Sequence, residues 1–292
     1  MGQQQQKNAV AVLGALPGAG HFSAAIFYVT MGLLAGLVAL GLRGEPPDGR
    51  VVVRALRDLP FGPILLGTIS LGALSLVVWR LLQAFWDIES KGGTFVGLCQ
   101  RARFLFSAVF YFTIPIGVAR MLFGFHTPTG EQMAEQAASS VIRFPFGWSI
   151  ILGTGMGFLT VGGYYLYRTL RGNFERVFRC EQMTERQRKF CFALGRFGCG
   201  SRGVILLVIG YYLMLAGWNV DPRQVEGQAG ALQIIGSQPF GPIMLGIVAL
   251  GLVALGLYSF AELCYGRDPR DKVIRAIQRS TARNAAAGAV QP

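Results

Sequence analysis

Charge is scarce in this sequence. Asp, Glu, Lys and Arg make up 14% of its 292 residues, where a soluble domain carries about a quarter. Histidine is scarcer still, with only His21 and His126. The charge distribution puts these two on opposite sides of a bilayer, so they share no metal ion. Cys180, Cys191 and Cys199 lack the short paired spacing of a zinc site. Together with Cys99 and Cys264 they fall on one side of the expected membrane, which suits reduced thiols and gives no disulfide framework. No histidine–carboxylate–serine set is visible, nor a pair of carboxylates inside an apolar run, so nucleophile-and-base chemistry has no candidate. No cofactor is implied. The N-terminus has Lys7 as its one basic side chain and no small-residue cleavage site after a short apolar core. It is therefore read as leading into a retained helix rather than as a secretory leader. The formal charge of +12 does not point to nucleic acid, because the basic residues flank the apolar runs instead of forming a domain of their own.

Apolar residues and glycine are abundant, at 52% and 40 residues respectively. Pro-Phe-Gly occurs at Pro60-Phe61-Gly62, Pro145-Phe146-Gly147 and Pro239-Phe240-Gly241, each time directly before a long apolar run. Before each copy stand about a dozen mixed polar residues, and before those another apolar run. The chain reads as one two-helix unit written three times. With the proline of each motif as zero, glycine recurs at +2 (Gly62, Gly147, Gly241) and at +12 (Gly72, Gly157, Gly251). Phe27-Tyr28-Val29-Thr30 is echoed by Phe110-Tyr111-Phe112-Thr113. Small residues let helices approach closely in lipid, so these glycines are assigned to helix contacts. Gly153-Thr154-Gly155-Met156-Gly157 follows no strand and is not a phosphate loop.

Taken in order, residues 1–20 form a cytoplasmic tail with a Pro17-Gly18-Ala19-Gly20 breaker. His21 to Leu42 carries no formal charge and is long enough to span a bilayer. A short amphipathic segment follows, with Asp48 as its candidate N-cap. Pro60 is expected in the first turn of the second span. Repeat 1 covers residues 21–90, repeat 2 residues 91–178, a basic loop with repeat 3 residues 179–266, and a basic cytoplasmic tail residues 267–292. The third span, Phe104 to Phe125, is interrupted by Pro115 and Arg120. Of the 27 lysines and arginines, 20 lie on the side of the two termini and seven on the other. Positive-inside then places both termini in the cytoplasm. The expected fold is an all-α integral membrane protein, six transmembrane helices in three tandem hairpin repeats with a pseudo-threefold arrangement.

The motif set resembles a bacterial membrane-protein family catalogued as domain of unknown function 1206, built of three tandem two-helix repeats. The likeness is carried by Asp58-Leu59-Pro60-Phe61-Gly62-Pro63, by Trp79-Arg80-Leu81-Leu82-Gln83-Ala84-Phe85-Trp86-Asp87, by Gly195-Arg196-Phe197-Gly198 with Ser201-Arg202-Gly203, and by Gly256-Leu257-Tyr258-Ser259-Phe260-Ala261-Glu262. It covers residues 20 to 270. The first unit departs from it, with His21-Phe22-Ser23-Ala24 where the third has Arg202-Gly203. The resemblance implies a fold and a bacterial inner membrane, and carries no activity.

Ionisable residues at membrane depth are the sharpest leads. Arg80 and Arg120 either snorkel to the headgroups or face the bundle, where they would line an anion path or bind a lipid phosphate. Glu262 stands at +23, like Gln83 in the first unit. Arg186, Arg188 and Lys189 form a basic cluster suited to anionic lipid on the cytoplasmic face or to a membrane-protein partner. The expectation is a non-enzymatic membrane component that binds lipids or partners. A small-solute or ion transporter is the alternative.

Overall fold

The structure is a computed structural model and describes residues 3–85, 95–125, 128–172, 174–175 and 177–266. Among these residues the fold is all-α. Long helices α1 (Gln3–Ala39), α3 (Gly62–Phe85), α4 (Phe95–Leu122), α6 (Gly147–Arg171), α7 (Glu185–Asn219) and α9 (Gly241–Tyr265) are joined by short helices α2 (Gly49–Arg57), α5 (Gly130–Ile142) and α8 (Gln228–Ser237). Five helices are long and apolar enough to cross a membrane: Leu16–Ala39 within α1, then α3, α6, α7 and α9. The third expected span differs. The apolar stretch of α4 is the shorter Ser107–Leu122, while Pro115 sits inside α4 without ending it.

The Pro17–Gly20 breaker is not a break, because α1 runs straight through Pro17. In a bundle, neighbouring helices relieve what proline would cost in water. Here the segment is a contact surface, with Gly18 meeting Leu263 of α9 and Gly20 closing on Leu76 of α3. The Pro-Phe-Gly copies also differ from expectation. The proline does not start the helix; it is the first central residue of a tight turn. Phe61, Phe146 and Phe240 all adopt left-handed backbone, at φ of 64°, 63° and 63°. The following glycine N–H donates back to Leu59, Phe144 and Gln238 at 2.9, 2.9 and 2.7 Å. Proline then a positive φ is the pattern of a type II turn. Glycine must follow, since a Cβ at Gly62, Gly147 or Gly241 would overlap the carbonyl oxygen of Arg57, Val141 or Gly236. The three phenylalanine rings are all highly exposed, which suits the headgroup level of a bilayer.

Around the bundle the neighbour order is α4, α3, α1, α9, α7, α6. The seams are glycine-rich. Gly32 and Gly256 join α1 to α9, and Gly155, Gly162, Gly203, Gly210 and Gly217 join α6 to α7. Helices α4 and α6 stand at the two ends of this row and form no extensive contact among the described residues. Among the described residues the result is a ring with one gap. At one end of the ring the short helices tie the hairpins together. Asp48 caps α2 as expected, its Oδ1 accepting from Val51 N at 2.7 Å, and its Oδ2 accepts from Gly130 N at the start of α5, 3.0 Å away. Trp86, His126 and the arginine-rich tail from Arg267 lie outside the described residues.

Candidate functional site

The inside of the ring holds a cavity of about 110 Å³. Each of the six long helices lines it: α1 through Tyr28, α3 through Arg80, α4 through Phe104 and Tyr111, α6 through Tyr165, α7 through Arg202, and α9 through Leu252. Arg80 therefore faces the interior. Its Nη1 donates to Gln83 Oε1 at 2.9 Å, its guanidinium lies over the Phe104 ring at 5.5 Å, and its buried Nε has no hydrogen-bond partner among the described residues. Arg202 donates to the Tyr28 hydroxyl, and its guanidinium sits 5.0 Å from the Tyr28 ring and 5.6 Å from the Tyr165 ring. No carboxylate is among the described lining residues. Two cations held by aromatic faces in an apolar surround attract negative charge strongly, because little water screens them.

A second polar cluster lies between α1, α6 and α9. Glu262 Oε2 is 3.1 Å from His21 Nδ1. Arg168 Nη2 donates to the Tyr258 hydroxyl at 3.0 Å, one turn before Glu262 on α9. The Arg168 guanidinium covers the buried ring of Phe174 at 4.8 Å. Glu262 is thus engaged by its own partner and does not line the arginine cavity. Its place at +23 has counterparts not only in Gln83 but in Arg168, so one register position delivers three polar side chains to the bundle.

The other candidates are not brought to this centre. Arg120 is exposed on α4, and Arg186 is exposed in the first turns of α7. Arg188 and Lys189 pair along their own helix with Glu185, at 3.0 and 3.6 Å. Sequence reasoning missed Arg202, Arg168 and the His21–Glu262 pair, since His21, Arg168 and Arg202 stand where apolar runs meet polar segments. The echo of Tyr28 in Tyr111 was the available signal, as both residues line the cavity.

No solved structure matches the chain. The curated protein described as "Uncharacterized protein YxxB" of Bacillus subtilis (strain 168) is 30% identical over 226 residues, covering 77% of this chain and 81% of that protein. The family model described as "Domain of Unknown Function (DUF1206)" matches twice, over residues 19–87 and 197–266. Each match spans a long helix, a short helix, the Pro-Phe-Gly turn and the following long helix. The chain belongs to the DUF1206 family.

Proposed function

We propose that this chain is a six-span protein of the bacterial inner membrane, with both termini cytoplasmic, and that it binds an anionic ligand in its central cavity without reacting with it. Three hairpins, α1–α3, α4–α6 and α7–α9, follow one another around a pseudo-threefold axis. That reading is supported by the thrice-repeated turn, by the double family match and by the neighbour order. In a six-membered ring the hairpin pairs α1/α3 and α7/α9 touch, as do the between-hairpin pairs α3/α4, α6/α7 and α9/α1. Helix α4 supplies the sixth span, its Arg120 reaching the headgroups at one end.

The observation that carries the function is the pair Arg80 and Arg202 on the wall of one cavity with no carboxylate among the described lining residues. Half-buried arginines without counter-ions are costly unless something negative joins them. Native mass spectrometry of the protein in gentle detergent tests this. Wild type is expected to retain an anionic adduct, and R80Q/R202Q to lose it; equal adducts in both would refute the assignment. Transport is the second reading, favoured by the position of the cavity at the centre of all six long helices. Flux of labelled phosphate through proteoliposomes, absent in R80Q/R202Q, would move the assignment there.

A further inference from the structure

The +12 glycines mark where one helix of a hairpin receives the other. In the first hairpin, a Cβ on Gly72 of α3 would meet Ala19 O of α1 at 2.5 Å. In the third, a Cβ on Gly251 of α9 would overlap the Ser201 hydroxyl of α7. In the middle hairpin the same position is Gly157 of α6, and a Cβ there meets nothing within 4 Å. Gly153, one turn earlier, is equally bare. At 100° per residue, Gly155 and Gly162 turn toward α7, where they lie against Met214 and Gly203, while Phe158, Val161 and Tyr165 line the cavity. Gly153 and Gly157 come next round the helix, on the side away from α7. Both are exposed there.

The helices on either side of that gap are poorly covered. In the apolar window of α6 17% is buried, against 39% to 56% in the other four spans. On α4, Val109, Phe112 and Ile116 are exposed. Both helices that flank the gap thus carry exposed apolar surface and also line the chamber that holds the arginines.

We infer that the gap between α4 and α6 is a lateral portal, and that the ligand is a membrane lipid with an anionic phosphate headgroup. This rests on the anion-binding reading above and adds the source of the anion. The size of the cavity admits either a free anion or a headgroup, and the apolar surface beside it chooses a lipid. The cavity, at about 110 Å³, is well below the roughly 300–1,000 Å³ of pockets that enclose whole drug-sized ligands, so it takes a headgroup and leaves the acyl chains outside. The chains then have an apolar way out at the right depth. Gly157 is eight residues from Tyr165 along α6, about 12 Å nearer the bilayer centre, and Tyr165 shares the level of Arg80 at +20. Headgroup at the arginines and chains past Gly153 and Gly157 is the orientation of a lipid in its own leaflet. Basic pockets between membrane helices are suited to such headgroups.

The test is the thermal midpoint of the full-length protein in neutral detergent with three probes: inorganic phosphate, a short-chain phosphatidic acid, and the matching diacylglycerol. The expected result is a rise of several degrees with phosphatidic acid, a smaller one with phosphate and none with diacylglycerol. R80Q/R202Q should lose the phosphatidic acid response, and R80K/R202K should keep part of it, which separates lost charge from lost fold. Gly157→Trp should weaken phosphatidic acid binding at least about tenfold, a difference of about 1.4 kcal/mol, while leaving the phosphate response as in wild type; Gly157→Leu should do so more mildly. If phosphate protects as well as phosphatidic acid and Gly157→Trp spares both, the portal is refuted and the anion site stands. If no anion protects, or R80Q/R202Q responds like wild type, both are refuted. If Gly157→Trp instead splits a dimer by light scattering without touching the lipid response, the gap seats a second copy and the portal is wrong.

Discussion

Hairpins one and three differ from the middle hairpin at a single kind of place. All three share the left-handed Pro-Phe-Gly turn. All three carry glycine at +12, yet Gly72 and Gly251 are filled by a neighbouring helix and Gly157 faces open space. The family model matches the first and third hairpins and passes over the middle one. The lesson is that a packing motif in sequence guarantees room for a partner and not the partner itself. In lipid no hydrophobic force drives two helices together, so a hairpin opens unless backbone contacts, hydrogen bonds or a connecting segment close it.

The turn is where the three hairpins should behave alike. Gly62→Ala, Gly147→Ala and Gly241→Ala each force a Cβ into a backbone carbonyl that has nowhere to go. Each should cost about 3 kcal/mol or more, read as loss of monodisperse protein after mild heating. A clear difference among the three would break the equivalence of the turns. Position +12 should instead separate the hairpins. Gly72→Leu displaces α1 from α3 and should cost about 2–3 kcal/mol. Gly157→Leu should be neutral or stabilising by up to about 1 kcal/mol, from helix propensity alone. Comparable losses at both positions would mean that α4 rests against α6 after all.

These outcomes bear on what was legible in the sequence. The hairpin frame was legible because a turn with one allowed glycine and a span of fixed length each leave a local imprint. Asp48 was readable as a cap for the same reason, its acceptor being three residues away. Its second bond, to Gly130, joins residues 82 apart and left no imprint. The cavity shows the same division. Arg80 stands out by its place in an apolar run, but Arg202 stands where the polar first half of α7 meets its apolar second half in one helix, and nothing local marks it as facing inward. Likewise Pro17 looked like a terminator, and only contacts with α3 and α9 explain why α1 continues through it. Facing direction is a tertiary property, and one chain read by itself does not contain it.

The open gap contrasts with the short-helix end, where the middle hairpin is tied on both sides. Asp48 ties it to the first hairpin by accepting from Val51 and Gly130 at once, with 6% of its surface exposed. Asp48→Ala removes the cap of α2 and leaves an N–H of α5 without this acceptor. A loss of about 2 kcal/mol is expected, accompanied by faster amide exchange in both α2 and α5. Exchange confined to α2 would show that the bond to Gly130 holds nothing together.

On the side of the third hairpin the contact includes a titrating group. Glu226 stands just before α8, and a Cβ on Gly230 would meet both its carboxylate and that of Glu131 from α5. Burial, and then the neighbouring Glu131 charge, push the Glu226 carboxyl above its ordinary value. The folded chain consequently holds a proton there at pH values where the unfolded chain has released it. The stability this contributes is complete below the unfolded glutamate value and is lost as pH rises through the higher folded one. The thermal midpoint should therefore drift down over that window in wild type, by less than the drop expected for Asp48→Ala. Glu226→Gln should flatten the drift, since an uncharged amide tolerates Glu131 at every pH. Glu131→Gln should reduce it without abolishing it, because burial, the larger cause, remains. A drift that survives Glu226→Gln would have to come from another group, and the α5–α8 contact would then hold the middle hairpin without any titrating tie.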